Sequence, residues 1–119
     1  MKKIVLVVMA MLSLTNMNAE NENTNMTQGT EAYDMSVNIR RLAVTLGLTL
    51  DQMEVLQDIY SDFQNEMMLA AYAEKDERPE MVDKAVAKNL RYMRYVLNQK
   101  QYDDYKLLLQ TTLVNRGLK

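Results

Sequence analysis

The chain contains no cysteine and no histidine. Without cysteine it has no disulfide framework and no thiol that could carry a lipid anchor or a covalent intermediate. Without histidine it lacks the side chain that most often transfers protons near neutral pH, and no serine or threonine lies in a nucleophile-elbow sequence. A carboxylate pair could act as in glycosidases, but a helical domain of about 100 residues leaves little room for a substrate cleft. We therefore expect no enzyme activity and no cofactor. A zinc or copper site is disfavoured because the chain lacks the cysteine and histidine ligands that these metals prefer.

Proline and glycine are also scarce, with one proline and three glycines in 119 residues. This scarcity argues against a sheet-rich fold with many tight turns. The apolar run from Ile4 to Leu14 is too short to span a bilayer and no later run is longer, so we expect no membrane span. The 16 acidic residues outnumber the 14 basic ones, which argues against a nucleic-acid partner.

The N-terminus has the organisation of a cleaved secretory signal: Lys2 and Lys3, the apolar run, and a polar stretch that ends at Ala19. We predict a signal peptide at residues 1–19 and a periplasmic or secreted protein. Cleavage would leave 12 basic against 16 acidic residues, a formal charge of −4. Residues 20–30 (ENENTNMTQGT) are almost without apolar side chains and predict a flexible leader, followed by a helical domain at 31–119.

Beyond the leader, apolar residues recur every three or four positions in four segments and nowhere alternate, which predicts an all-α fold of four helices. The first helix is expected from about Tyr33, with Met35 on its apolar face, to a stop at Gly47. The second extends from Leu50 to about Glu74. The third begins near Pro79, and the fourth runs to Gly117. The second and third helices would form a long antiparallel hairpin, with shorter helices before and after it.

Two short strings have related patterns, LTLDQ at 48–52 and LNQKQ at 97–101. In each, Thr49 or Asn98 is followed three residues later by Gln52 or Gln101, which is the spacing of a helix capping box. The oxygen of the Thr or Asn side chain would accept from a backbone N–H of the first turn, and the Gln would reach back to the N–H of the cap residue. The strings therefore predict the starts of the second and fourth helices.

The repeated string resembles the L-T-x-x-Q motif of the Spy/CpxP family of small helical envelope proteins. The first copy matches at Leu48, Thr49 and Gln52, and the second at Leu97 and Gln101, with Asn98 in place of Thr. The resemblance covers roughly residues 48–116. It implies an ATP-independent periplasmic chaperone or stress-response adaptor that binds unfolded envelope proteins, and a homodimer, since family members typically form thin antiparallel dimers. Family chaperones often carry a strongly basic cradle, whereas this mature chain is acidic.

The alternative hypothesis is a structural or regulatory helical protein without chaperone activity, homodimeric or bound to one specific envelope partner. Only the chaperone hypothesis predicts promiscuous binding of apolar segments. Candidate client-binding residues lie off the predicted core stripes of the two long helices: Met68, Tyr72, Tyr92 and Tyr95. Methionine adapts its shape and tyrosine joins an apolar ring to a polar tip, which suits a surface that binds varied partners.

Charged residues of opposite sign follow the two long helices. The second helix carries Glu54, Asp58, Asp62 and Glu66, and the third carries Lys84, Lys88, Arg91 and Arg94. In an antiparallel hairpin these series predict ion pairs of Glu66 with Lys84 or Lys88, of Asp62 with Lys88 or Arg91, and of Asp58 with Arg94. The alternative is that one of the two ridges binds a partner.

Overall fold

The structure is a computed structural model that describes residues 30–119. The predicted signal peptide, and all of the predicted leader except Thr30, lie outside the described residues. A short 3-10 turn at Glu31–Tyr33 precedes four α-helices: α1 (Ile39–Leu46), α2 (Leu50–Tyr72), α3 (Arg78–Val96) and α4 (Gln99–Asn115). The described residues contain no strand, so the all-α prediction is confirmed.

The two long helices, α2 and α3, pack against each other as an antiparallel hairpin, α1 contacts α2 and α4, and α4 contacts α3. The helices meet because each has an apolar stripe, and burying those stripes against one another removes them from water. One continuous core results, and its most deeply buried large side chains are Met35, Leu56, Phe63, Met67, Met93 and Leu113.

The predicted start of the first helix is wrong, because α1 begins at Ile39 and not near Tyr33. Local side-chain bonds replace the helix here: Asp34 Oδ1 accepts from the Ser36 N–H at 3.0 Å, and Asn38 Oδ1 caps α1 by accepting from the Arg41 N–H at 3.0 Å. Met35 nevertheless lies in the core, and its carbonyl oxygen accepts from the Tyr60 hydroxyl at 2.6 Å. The segment is therefore anchored by burial without being helical.

The other helix ends lie close to their predicted positions. Gly47 ends α1 with a φ of 70°, a conformation in which glycine carries no steric penalty. Pro79 occupies the first turn of α3, where its missing N–H is not needed. The second helix ends at Tyr72, two residues before the predicted boundary at Glu74.

Of the ion pairs predicted across the hairpin, the structure contains only Glu66 with Lys88, at 3.3 Å. The predicted pairs of Asp58 with Arg94 and of Asp62 with Lys88 or Arg91 are wrong, since Lys88 binds Glu66. The Arg94 guanidinium lies 4.8 Å from the centre of the Tyr102 ring, and that of Arg91 lies 5.5 Å from the centre of the Tyr92 ring. Both arginines thus contact aromatic faces, an arrangement stabilised by cation–π attraction.

Within residues 30–119, no helix has both the length and the apolar character needed to cross a membrane.

Candidate functional site

Both predicted capping boxes are present in the structure. Thr49 Oγ1 accepts from the Gln52 N–H at 3.1 Å, and Gln52 Oε1 accepts from the Thr49 N–H at 3.0 Å. At the start of α4, Asn98 Oδ1 accepts from the Gln101 N–H at 2.8 Å, and Gln101 Oε1 accepts from the Asn98 N–H at 3.0 Å. Each pair satisfies two backbone N–H groups that a helix start otherwise leaves unbonded.

The same two glutamines also bind each other across the molecule. Gln52 Nε2 donates to Gln101 Oε1 at 2.9 Å and to the Val96 carbonyl oxygen at 2.9 Å. Gln101 Nε2 donates to Gln52 Oε1 at 3.4 Å and to the Gly47 carbonyl oxygen at 3.0 Å. The arrangement has local twofold character, because each glutamine donates to the carbonyl of the residue just before the leucine of the other motif. These two residues are Val96 for Gln52 and Gly47 for Gln101. We call this network of Gln52 and Gln101 the glutamine clasp.

In the clasp every amide hydrogen has an acceptor and each side-chain oxygen accepts twice, which is the full bonding capacity of a carboxamide NH2 group and a carbonyl oxygen. Sequence reasoning gave Gln52 and Gln101 local roles and missed their contact. The repeated motif could have indicated this contact, since two identical polar side chains at equivalent helix starts can hydrogen-bond to each other reciprocally.

A groove of about 280 Å³ lies on the outer face of the α2/α3 hairpin. Its carboxylates come from the acidic series of α2, and Phe63 is buried beside it. Lys88 is the one basic residue of its lining and is paired with Glu66. We call this feature the acidic groove; it is lined by Asp58, Ile59, Asp62, Phe63, Glu66, Lys88, Asn89 and Tyr92.

Asn89 is the unusual residue of the acidic groove, because it is 2% exposed and incompletely bonded. Its Oδ1 accepts from the Tyr105 hydroxyl at 2.5 Å, whereas its Nδ2 has no hydrogen-bond acceptor in the described part of the chain. Burial raises the pKa of Tyr105 well above its ordinary value, so that hydroxyl remains a donor at neutral pH. A buried amide without an acceptor costs about 1–3 kcal/mol.

The four predicted client-binding residues lie in two places. Tyr92 lines the acidic groove and is 41% exposed, and Tyr95, 83% exposed, lies one turn farther along α3. Tyr72, 75% exposed, ends α2, and the half-buried Met68 lies one turn before it. Because Lys88 lies opposite Glu66, Tyr72 and Tyr95 are roughly 20 Å apart along the hairpin at 1.5 Å per residue. The structure therefore does not bring all four together.

Two further exposed apolar side chains, which sequence reasoning did not select, lie near these two pairs of predicted residues. Leu69, 63% exposed, lies between Glu66 and Tyr72 on α2, and Val55, 47% exposed, lies one turn before Asp58. Near the hairpin turn, the turn-end patch consists of Met68, Leu69 and Tyr72. Toward the other end of the hairpin, the open-end patch consists of Val55, Tyr92 and Tyr95. Residues three, four and seven apart share a helix face, so Leu69 and Val55 lie on the same side of α2 as the carboxylates of the acidic groove. Tyr92 belongs both to the groove lining and to the open-end patch, whereas Met68, two residues after Glu66, lies on a different side of α2.

No group of three or more acidic side chains in residues 30–119 is arranged to hold a metal ion. Comparison of the chain with protein-family models, with curated proteins and with solved structures gave no match.

Proposed function

We propose that this chain is a Spy/CpxP-like exported binding protein that holds unfolded envelope proteins without ATP. The observation that carries the proposal is the outer face of the hairpin, where exposed tyrosine, leucine and valine side chains flank a charged groove. An unfolded polypeptide presents apolar and charged side chains along one extended strand. A surface that alternates the two kinds of contact over roughly 20 Å suits such a ligand.

The two L-T-x-x-Q-like motifs support the same proposal. They stand at the starts of α2 and α4, and their glutamines connect the chain just before α2 to the last residue of α3. The clasp holds the ends of the hairpin in a fixed relation, and a rigid face binds with a smaller loss of conformational entropy than a mobile one.

The test is an aggregation assay with several unrelated denatured client proteins, in which the mature chain is present at an equimolar ratio. We expect wild type to delay aggregation of several clients. Replacing Tyr72 and Tyr95 together with Ser should weaken the delay and leave helicity unchanged, because both side chains are at least 75% exposed.

The matched control replaces Val44 and Val114 with Ser, since these side chains are 77% and 60% exposed and lie off the hairpin on α1 and α4. The control should protect clients as well as wild type does. If wild type protects no client, the chaperone proposal is wrong, and the alternative of a regulatory protein with one specific partner takes its place. Mass measurement of the free protein in the same experiment tests the homodimer.

A further inference from the structure

We propose that the acidic groove binds an arginine side chain of a partner polypeptide, with the guanidinium on Asp58 and Asp62 and a peptide carbonyl of the same segment on Asn89. The inference rests on the proposed function, because the groove lies within the surface to which that function is assigned. It adds a preference for one basic side chain to a surface whose apolar and charged contacts would otherwise accept many segments.

The first observation is the unused charge on α2. Asp58 and Asp62 form no ion pair or hydrogen bond within the described residues, because Lys88 binds Glu66 and the nearby arginines contact tyrosine rings. The two carboxylates are one helical turn apart and repel each other. A bound cation would remove that repulsion and gain two charge-assisted contacts.

The second observation is independent of charge and points to a ligand. Asn89 lies in the groove, 2% exposed, and its Oδ1 is occupied by Tyr105 on α4. Its Nδ2 lacks an acceptor in residues 30–119, and Asn89 lines the groove, so a ligand that offers an oxygen as well as a positive charge would satisfy it. A polypeptide offers a backbone carbonyl close to each basic side chain, whereas a simple polyamine or a metal ion has no acceptor to give.

The shape and lining of the groove favour arginine. Its volume of about 280 Å³ lies just below the range of drug-sized pockets and suits a single side chain. The half-buried Ile59 can cover the aliphatic stem of that side chain, and the 41% exposed ring of Tyr92 can stack on a planar guanidinium. Arginine also presents paired donors that match carboxylates, which lysine does not.

The leader of this chain is a poor candidate for the same groove on charge. Residues 20–29 include Glu20 and Glu22 and contain no lysine or arginine. Like charges would repel that segment from Asp58 and Asp62, so the occupant is expected to be another polypeptide.

The test uses a short, capped, unstructured peptide with one central arginine, together with versions that carry citrulline or lysine at that position. Citrulline has nearly the shape of arginine without its charge. Fluorescence anisotropy with the mature chain at low salt should show the arginine peptide binding roughly tenfold more tightly than the citrulline peptide, with the lysine peptide between them. Asp58→Asn with Asp62→Asn should abolish this difference.

The matched control, Glu74→Gln with Asp76→Asn, removes the same number of charges from the exposed turn of the hairpin and should retain the difference. Both double variants are expected to fold, because none of the four carboxylates has a hydrogen-bonding or ionic partner within the described residues. Equal loss in the two double variants would show a general effect of net charge and overturn the assignment to the groove.

Nuclear magnetic resonance locates the contact. The Asn89 side-chain amide signals should shift on addition of the arginine peptide and not on addition of the citrulline peptide. Arginine-dependent binding that leaves those signals unchanged would place the peptide elsewhere and overturn the inference.

The aggregation assay separates this inference from the proposed function. Client protection by a protein that does not distinguish arginine from citrulline would overturn the groove site and leave the chaperone proposal standing. Arginine-selective binding without protection of any client would support the groove site and overturn the chaperone proposal. It would indicate one specific basic partner.

Discussion

At the scale of single residues, the sequence predicted the local roles of Gln52 and Gln101 and could not predict their partners. A capping box depends on residues three positions apart, so its hydrogen bonds can be deduced from spacing alone. The contact of Gln52 with Gln101 joins residues 49 positions apart and depends on how the helices pack. Asn89 shows the same limit, because Asn89 and Leu90 both lie three or four residues from the buried Val86 and Met93, so spacing alone does not decide which of the two faces inward. The structure buries Asn89 to 2% exposure, and Leu90 is half-buried.

Two buried tyrosines make the stability of the fold depend on pH. Burial raises the pKa of Tyr60 and of Tyr105 above the ordinary value of 10.0, since each hydroxyl would have to ionise inside the core. Above pH 10 the unfolded chain loses these protons while the folded chain keeps them, so the free energy of unfolding should fall as pH rises further.

Urea unfolding at a series of alkaline pH values measures this fall. Tyr60→Phe should reduce the pH dependence, because the variant lacks one buried ionisable hydroxyl. Tyr72→Phe is the matched control and should leave the dependence unchanged, since Tyr72 is 75% exposed. A slope in Tyr60→Phe equal to that of wild type would contradict the burial argument.

At the scale of helices, the repeating apolar pattern predicted four helices and most of their ends. Gly47, Pro79 and the two capping boxes are local signals, and the structure uses all of them. The segment before α1 was mispredicted because Met35 has the right spacing for a helical stripe. Burial of Met35 and local bonds from Asp34 and Asn38 favour an irregular chain there. Apolar spacing predicts which side chains are buried more reliably than it predicts whether the backbone at those residues is helical.

The capping residues of α2 should differ in their contribution to stability. We expect Thr49→Ala to cost about 1 kcal/mol through loss of one cap bond. From sequence alone, Gln52→Ala would be expected to cost less. Gln52 also donates to Gln101 and to the Val96 carbonyl, so we expect Gln52→Ala to cost about 2 kcal/mol in stability, because partly buried polar groups lose their partners.

Thermal and urea unfolding of both variants provide the measurement. Ser61→Ala, an exposed change inside α2, serves as the control and should be close to neutral. A Gln52→Ala variant as stable as Thr49→Ala would mean that the contacts across the molecule contribute nothing to stability.

At the scale of the whole molecule, the antiparallel hairpin was predictable and most of its surface chemistry was not. The pairing of Glu66 with Lys88 followed from the register of the two charge series. The other predicted pairs are absent because Arg91 and Arg94 lie over tyrosine rings, an arrangement that depends on packing and on side-chain direction. This placement of the arginines leaves carboxylates on α2 without partners, and these carboxylates form the acidic groove. The acidic groove therefore depends on tertiary packing, which the spacing of residues along the sequence does not determine.

The glutamine clasp makes a further prediction about the molecule as a whole, because it couples the start of α2 to the end of α3. A double-mutant cycle of Gln52→Ala and Gln101→Ala should show a coupling energy of about 1 kcal/mol in urea unfolding, since the two side chains bond directly. A parallel cycle of Thr49→Ala and Asn98→Ala is the matched control. These residues also cap α2 and α4, yet no hydrogen bond joins their side chains, so their effects should add within about 0.5 kcal/mol. Additivity in both cycles would mean that the two motifs act only as local caps, and the rigidity attributed to the hairpin ends would lose its structural basis.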